Sequence, residues 1–187
     1  MARTISFPRT LPPHCPTPHR RDDDVPVGRT LHLLDLENLA GDPRPGPSRA
    51  LALVPTYLHL ARWRPGDPVV VATNGWLLRQ IAFDLPAGWQ LRAANGPDGA
   101  DRALLEVAPP DLVAARYHRL VVGSGDGIFS DLIARVGDRG VETGVVSIRR
   151  QLSNRLKACR SHGRVPARAD MRASGGCLSR ASRRVHP

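Results

Sequence analysis

Short runs of consecutive apolar residues alternate along the chain with segments whose apolar residues recur at helical spacing. The apolar runs predict five buried strands, at residues 30–36, 68–73, 89–95, 119–125 and 141–148. The segments between them carry apolar residues three and four positions apart, as amphipathic helices do. Buried strands that alternate with helices are typical of a parallel sheet covered on both faces. We therefore predict an α/β fold with a doubly wound, mostly parallel five-stranded sheet.

Serine and proline positions predict where the helices begin and end. Ser48 is a candidate N-cap for a helix over residues 50–62. Pro55 lies within this helical pattern, and we expect it to kink the helix or to lie close to its start, because proline lacks the N–H of a helix interior. Pro109 and Pro110 separate two further short helical stretches.

The two ends of the chain differ in composition from its middle. Residues 1–29 carry six prolines, and residues 159–187 mix Arg, Ser, Gly and Ala without a recurring apolar face. Such segments lack the apolar residues that a core requires. We therefore predict a disordered Pro-rich leader at 1–29, an α/β domain at 30–158 and a disordered Arg-rich tail at 159–187.

The net charge of +10 is concentrated near the C-terminus. Residues 149–187 hold eleven Lys and Arg residues against Asp170 alone, whereas residues 30–148 hold eleven Arg residues against thirteen acids. A basic segment adds sequence-independent affinity for phosphate backbones, which makes RNA a candidate partner. Arginine supplies 26 of the 27 basic residues, and the coding bias of a GC-rich genome explains that excess equally well.

Cysteine usage and the lengths of the apolar runs exclude several classes of protein. Cys15, Cys159 and Cys177 have no CxxC spacing, which argues against a disulfide framework and a zinc site. No apolar run approaches the ~18–20 residues of a membrane helix. The first residues also lack the apolar stretch of a secretory signal. We expect a cytoplasmic protein without a membrane partner, and the sequence leaves a homo-oligomer open.

Acidic and amide side chains follow the predicted strands at their carboxyl ends, where open α/β sheets bind ligands. Asp35 and Asn38 follow the first strand, Asp101 follows the third, and Asp126 follows the fourth. Carboxylates that converge on one edge must bind a cation or raise one another's pKa. Oxygen ligands without nearby His or Cys favour Mg²⁺ or Mn²⁺, which activate water for attack on a phosphodiester.

The same residues also have structural interpretations. Asp126 precedes a helix, where Asp is a preferred N-cap, and Asn38 is suited to shape a turn. Asp35 ends a buried apolar strand, where an unpaired carboxylate is costly, and this favours a functional role. Glu37 would point away from Asp35 if the strand continued, so we predict a solvated side chain there.

Three motifs resemble those of the NYN domain, a branch of the PIN-like ribonucleases, over residues 30–158. The motifs are Asp35-x-x-Asn38 after strand one, Gly99-x-Asp101 at the start of a helix, and Ser124-Gly125-Asp126 with Phe129 after strand four. The resemblance implies a PIN-like, Rossmann-like sheet in which strands one and four are neighbours. It further implies a metal-dependent ribonuclease in which Asp35, Asp101 and Asp126 hold Mg²⁺ or Mn²⁺ and Asn38 orients substrate or a bound water.

The ribonuclease hypothesis also predicts which residues bind the substrate. Thr73 and Asn74 would contact the scissile phosphate, and Ser124 would assist. RNA would enter along the carboxyl edge of the sheet, with the basic C-terminal segment on its backbone. Trp76 is interpreted first as packing, with stacking on a base in the crevice as the alternative.

Departures from the family pattern keep a second function open. Ile128 stands where the family usually has another aspartate, and Asp98 stands where it often has a basic residue. The alternative is a catalytically weak NYN-like domain that binds RNA or protein. A phosphatase-like hydrolase is a poorer match, because it requires Asp-x-Asp where this chain has Asp35-Leu36-Glu37. A dinucleotide fingerprint would require glycine at Ile128.

Overall fold

The computed structural model describes residues 28–148, residues 151–159 and the backbone of residues 169–170. Within them, the strands of a central parallel sheet are β1 (Thr30–Asp35), β2 (Val69–Thr73), β3 (Gln90–Ala93), β4 (Arg119–Gly123) and β5 (Glu142–Ser147). The order across the sheet is β3-β2-β1-β4-β5, and a two-residue strand, β6 (Ala169–Asp170), pairs in parallel with β5. The predicted α/β fold with a parallel five-stranded sheet is confirmed.

Helices connect successive strands and cover both faces of the sheet. In the described part of the chain they are α1 (Leu36–Ala40), α2 (Pro47–Leu60), α3 (Gly75–Ile81), α4 (Gly99–Glu106), α5 (Pro110–Arg116), α6 (Ser130–Gly137) and α7 (Asn154–Ala158). A 3₁₀ turn at Gly127–Phe129 precedes α6. As predicted from the two adjacent prolines, a break separates α4 from α5, and Pro110 is the first residue of α5, where a missing N–H costs nothing.

Neighbouring residues of each strand pack against different helices. In β1, Leu33 packs among residues of α4 to α7, whereas Leu34 packs among residues of α1 to α3. All six residues of β1 are buried. Burial on both faces requires strands that are apolar at consecutive positions, which is the pattern that predicted them.

The centre of the sheet is a topological switch point. β1 lies between β2 and β4, and Leu34 of β1 is paired with Gly123 of β4. The chain leaves β1 toward α1 on one face and leaves β4 toward α6 on the other face. A crevice forms where two such connections diverge. The expectation that strands one and four are neighbours is confirmed.

Helix α2 differs from the prediction at two positions. Its N-cap is Gly46, with Pro47 as the first helical residue, so Ser48 lies inside the first turn and is not the cap. Pro55 lies within the helix and not near its start, which was one of the two expectations for it. Its side chain is exposed, whereas the neighbouring Val54 is buried.

Most of the predicted leader and tail lie outside the described residues. Of the predicted leader at 1–29, the structure describes only residues 28–29. Of the predicted tail at 159–187, it describes only residues 159 and 169–170. Residues 169–170 pair in parallel with β5 as β6, and the prediction of disorder for the rest of the tail concerns residues outside the described part of the chain. In the part of the chain that the structure describes, no helix combines the length and the apolar character needed to cross a membrane.

We predict that Gly123→Ala destabilises the fold by about 1–3 kcal/mol, the usual cost of overpacking a core. A Cβ at this position would lie 2.7 Å from both Leu34 Cδ1 and Tyr57 Cε2, and both of these side chains are fully buried. The measurement is the free energy of unfolding in urea. Gly137→Ala in α6 is the matched control, because a Cβ there meets nothing within 4 Å. Equal stability of the two variants would contradict the close packing at the end of β4.

Candidate active site

The carboxyl end of β1 is occupied by a buried acid, Asp35. It is 4% exposed, and it is both the last residue of the strand and the N-cap of α1. Its Oδ1 accepts hydrogen bonds from the backbone N–H groups of Glu37, at 3.0 Å, and Asn38, at 3.1 Å. An N-capping carboxylate satisfies N–H groups that have no partner within the helix. The second carboxyl oxygen remains for other contacts.

Asp101 faces Asp35 from the first turn of α4. It is 7% exposed, and its Oδ1 has no hydrogen-bond partner in the described residues. The carboxyls of Asp35 and Asp101 lie within hydrogen-bonding reach of one another, so a proton on one can bridge to the other. Gly99 permits this placement, because a Cβ there would lie 3.3 Å from the backbone carbonyl carbon of Ala94. The predicted convergence of these two acids is therefore present.

Burial raises the pKa of both acids. It raises the pKa of Asp35 to about 8, with the charges of Asp101 and Glu37 adding to the effect and the N–H of Asn38 opposing it. Burial is also the main cause that raises the pKa of Asp101, and the charge of Asp126 adds to it. The hydrogen bond between the two carboxyls raises the pKa of Asp35 and lowers that of Asp101. Both carboxyls therefore keep a proton to a higher pH than an ordinary aspartate does.

Asp126 follows the end of β4, as predicted, and the hydrogen bond that its side chain accepts is a structural one. It is the N-cap of the 3₁₀ turn, and its Oδ1 accepts a hydrogen bond of 2.9 Å from the N–H of Ile128. It does not line the crevice described below, although its charge acts on Asp101. The structure thus brings Asp35 and Asp101 into contact and leaves Asp126 at their periphery.

Asn38 and Ser124 hold the loop after β4 in place. The side-chain oxygen of Asn38 accepts a hydrogen bond of 2.7 Å from the N–H of Gly125. Ser124 is fully buried, and its Oγ accepts one of 3.2 Å from the N–H of Asp126. A substrate contact for Ser124 does not agree with this burial, and the Asn38 oxygen assigned to substrate or water is bonded to the loop. Gly125 itself fits closely, since a Cβ there would lie 2.6 Å from the carbonyl oxygen of Gln151.

The prediction of a solvated Glu37 is wrong, because β1 ends at Asp35 and the chain turns into α1. Glu37 Oε1 accepts three hydrogen bonds, from the Thr73 hydroxyl at 3.1 Å, the Asn74 N–H at 2.7 Å and the Asn74 side-chain amide at 2.8 Å. The N-capping preference of Asp35 was the signal in the sequence that the strand stops there. Glu37 is a site residue that sequence reasoning missed, and so are the crevice residues Arg44, Arg79 and Asn95.

These bonds change the role of the residues after β2. Thr73 is fully buried and donates its hydroxyl to Glu37, so its predicted contact with a scissile phosphate does not fit the structure. Asn74 lines the crevice, and its side-chain oxygen also caps α3 by accepting from the N–H of Leu77 at 2.8 Å. The fold therefore uses both residues to connect α1 to the start of α3.

The acids open into a crevice of about 810 Å³ between α1, α3 and α4. This volume is typical of ligand-binding clefts. Its acidic lining residues are Asp35, Glu37, Asp98 and Asp101, and its other lining residues include Arg44, Asn74, Trp76, Arg79 and Asn95. The crevice therefore combines carboxylates with cations and an aromatic ring. Such a combination suits a ligand that carries both phosphate groups and bases.

The described residues contain no group of three or more His, Cys, Asp or Glu side chains that is arranged to hold a metal ion. The metal ligands predicted from the sequence, Asp35, Asp101 and Asp126, stay a prediction. The contacting pair still offers a free oxygen at Asp101 and only hard oxygen donors. Because Mg²⁺ is commonly held by one or two carboxylates, with waters and substrate phosphates as its other ligands, the pair fits one such ion.

We predict that the melting temperature falls as the pH rises from 6.5 to 8, because the folded-state pKa of Asp35, about 8, lies above its ordinary value of 3.8. In this range the unfolded chain releases the proton that the folded chain retains, so stability decreases with pH. His32, whose pKa burial lowers from 6.5 to about 4, acts mainly below this range and in the opposite direction, because the unfolded chain binds a proton there that the folded chain does not.

Asp35→Asn should flatten this dependence and raise the melting temperature at pH 8, since Asn keeps the N-cap and needs no proton. The measurement is thermal unfolding followed by circular dichroism. Asp84→Asn, at an exposed position, is the control and should retain the wild-type slope. A wild-type slope in Asp35→Asn would show that the carboxyl pair does not hold the proton.

Comparison of the chain with protein-family models, with curated proteins and with solved structures gives no match. The resemblance to the NYN domain therefore rests on the motifs at Asp35, Asp101 and Asp126 in the sequence itself.

Proposed function

We propose that this protein is a metal-dependent ribonuclease that hydrolyses RNA phosphodiester bonds at the carboxyl edge of its sheet. The observation that carries the proposal is the contact between the buried acids Asp35 and Asp101, which both line an open crevice. The NYN-like order of these residues along the chain supports the same activity. RNA contact along this edge, aided by the basic C-terminal segment, belongs to the proposal.

Burial of two adjacent carboxyls costs stability unless a proton or a cation offsets their charge. Asp101 Oδ1 has no hydrogen-bond donor in the described part of the protein, so this oxygen is available to a cation. An Mg²⁺ or Mn²⁺ ion bound by Asp35 and Asp101 would replace the proton and would retain positions for water and a substrate phosphate. Loss of function explains such a pair less well, because two apolar side chains would be more stable at the same place.

In the proposed reaction the residues of the chain bind, orient and transfer a proton. Asp35 and Asp101 would hold the cation as two carboxylates, with the proton of Asp35 passing to solvent. The bound ion would supply Lewis-acid stabilisation of the phosphate and a more acidic water as the nucleophile. Arg44 and Arg79 face the crevice and attract the phosphate backbone. Glu37 holds Asn74 at the crevice wall through two hydrogen bonds.

A second candidate is a binding module that retained the fold, and one feature of the site favours it. Asp126 Oδ1 is used to cap the turn that contains Ile128, the position where the family usually has a second aspartate. With two contacting carboxylates, the pair could remain protonated and bind no ion. RNA would then be bound only by the crevice side chains Arg44, Arg79 and Trp76.

We expect a mixed set of labelled RNAs to be cleaved only when Mg²⁺ or Mn²⁺ is present, and Asp101→Asn to reduce the rate by about a hundredfold or more. That reduction corresponds to the several kcal/mol that metal-ion catalysis contributes. Cleavage products resolved on denaturing gels are the measurement. The control is Asp131→Asn, at an exposed position of α6.

Binding of RNA without cleavage, unaffected by EDTA and by Asp101→Asn, would overturn the ribonuclease proposal in favour of the binding module. Cleavage that EDTA leaves unchanged would contradict the role of the cation.

Metal binding itself has a readout that does not depend on activity. We expect Mn²⁺ to raise the melting temperature by several degrees, because a ligand of the folded state stabilises it by mass action. The increase should be larger at pH 8 than at pH 6.5, since the ion must displace the Asp35 proton, whose pKa is about 8. Asp101→Asn should abolish the increase, and Asp84→Asn should retain it. An increase that persists in Asp101→Asn would place the ion elsewhere.

A further inference from the structure

An exposed tryptophan lies at the mouth of the crevice. Trp76, in the first turn of α3, is 52% exposed, whereas Trp63 and Trp89 are partly buried and pack against the hydrophobic core. Trp63 also donates its ring N–H to the Asp67 carbonyl at 3.1 Å. Trp76 has neither of these structural roles. An aromatic face left open beside a polar crevice offers a surface on which a planar ligand can stack.

Side-chain hydrogen bonds link the start of α3 to the segment that carries Asp35. Asn74 caps α3 and is itself held by Glu37, which follows Asp35 by two residues. The N–H of Gly75 donates to the side-chain oxygen of Asn95 at 3.1 Å, which ties α3 to the end of β3. The backbone at Trp76 is therefore held relative to the segment that carries Asp35 through side-chain hydrogen bonds.

Arg79 supplies a cation one helical turn beyond Trp76. Its Nη1 would lie 3.7 Å from a Cβ at Gly75, so the guanidinium folds back over the start of α3, and Arg79 lines the same crevice. Of the carboxylates whose side chains the structure describes, none lies within salt-bridge distance of Arg79. A guanidinium without a carboxylate partner is available for bidentate contact with a phosphate.

We propose that Trp76 and Arg79 form a subsite for one unpaired nucleotide, with its base stacked on the indole and its phosphate on the guanidinium. This subsite rests on the proposed function, and it restricts the substrate to strands with an accessible base. In a duplex the bases are stacked on their neighbours and paired, so the indole cannot reach their faces. The subsite therefore selects single-stranded or looped RNA next to the Asp35–Asp101 pair.

The test measures binding in EDTA, where no metal-dependent cleavage occurs, with a short fluorescein-labelled oligouridylate and a hairpin duplex of equal length. Trp76→Ala should weaken binding of the single strand by roughly tenfold, in line with alanine substitution at stacking positions, and should leave duplex binding unchanged. Trp76→Phe should retain most of the affinity because it keeps an aromatic face. Arg79→Ala should weaken binding and reduce its salt dependence.

Two variants control for non-specific effects. Phe83→Ala removes a fully exposed aromatic side chain that does not line the crevice, and Arg116→Ala removes an exposed cation on α5, on the other face of the sheet. Both should bind the single strand as the wild type does. Melting temperatures confirm that each variant is folded. Equal losses in Trp76→Ala and Phe83→Ala would overturn the subsite.

The outcomes separate this inference from the proposed activity. Metal-dependent cleavage with unchanged single-strand affinity in Trp76→Ala would overturn the subsite and leave the ribonuclease. Trp76-dependent binding of the single strand without cleavage in Mn²⁺ would support the subsite and overturn the ribonuclease. Equal affinity of the wild type for single strand and duplex would also overturn the subsite.

Discussion

The carboxyl edge of this sheet depends on the contact between the buried carboxyls of Asp35 and Asp101. Two acids in contact and away from water cannot both be charged unless a cation accompanies them. The two acids lie at the topological switch point of the sheet, where α/β folds form their ligand-binding crevice. The pair therefore exchanges a proton for a cation, or keeps the proton, and each candidate function corresponds to one of these two states.

Helix α1 connects this pair to its surroundings, although it is only five residues long. Asp35 caps it, Glu37 binds the residues that follow β2, and Asn38 binds the loop that follows β4. Side chains of this one short segment thus join the carboxyl ends of β1, β2 and β4 through hydrogen bonds. A site held in this way is preorganised, because its geometry does not have to form when a ligand arrives.

The state of the carboxyl pair also determines how the crevice treats an anionic ligand. A protonated Asp35 leaves less negative charge near a phosphate, and in that state the proposed subsite at Trp76 and Arg79 would bind a strand without a cation. An ionised pair repels phosphate until a cation is bound, after which the cation and the phosphate attract each other. The two proposed functions therefore correspond to two charge states of one crevice, in which the charge of Asp126 also acts on Asp101.

The amino-acid sequence determined the layers of the fold and the edge on which the acids lie. Strands buried on both faces must be apolar at consecutive positions, and side chains after parallel strands must meet at one edge. Asp35 and Asp101 were therefore predictable as neighbours. The tertiary structure alone decided that Glu37 anchors Asn74, since this depends on the exact residue at which β1 gives way to α1. It also decided which polar residues face the crevice, because packing against neighbouring elements, and not local sequence, buries Thr73 and Ser124.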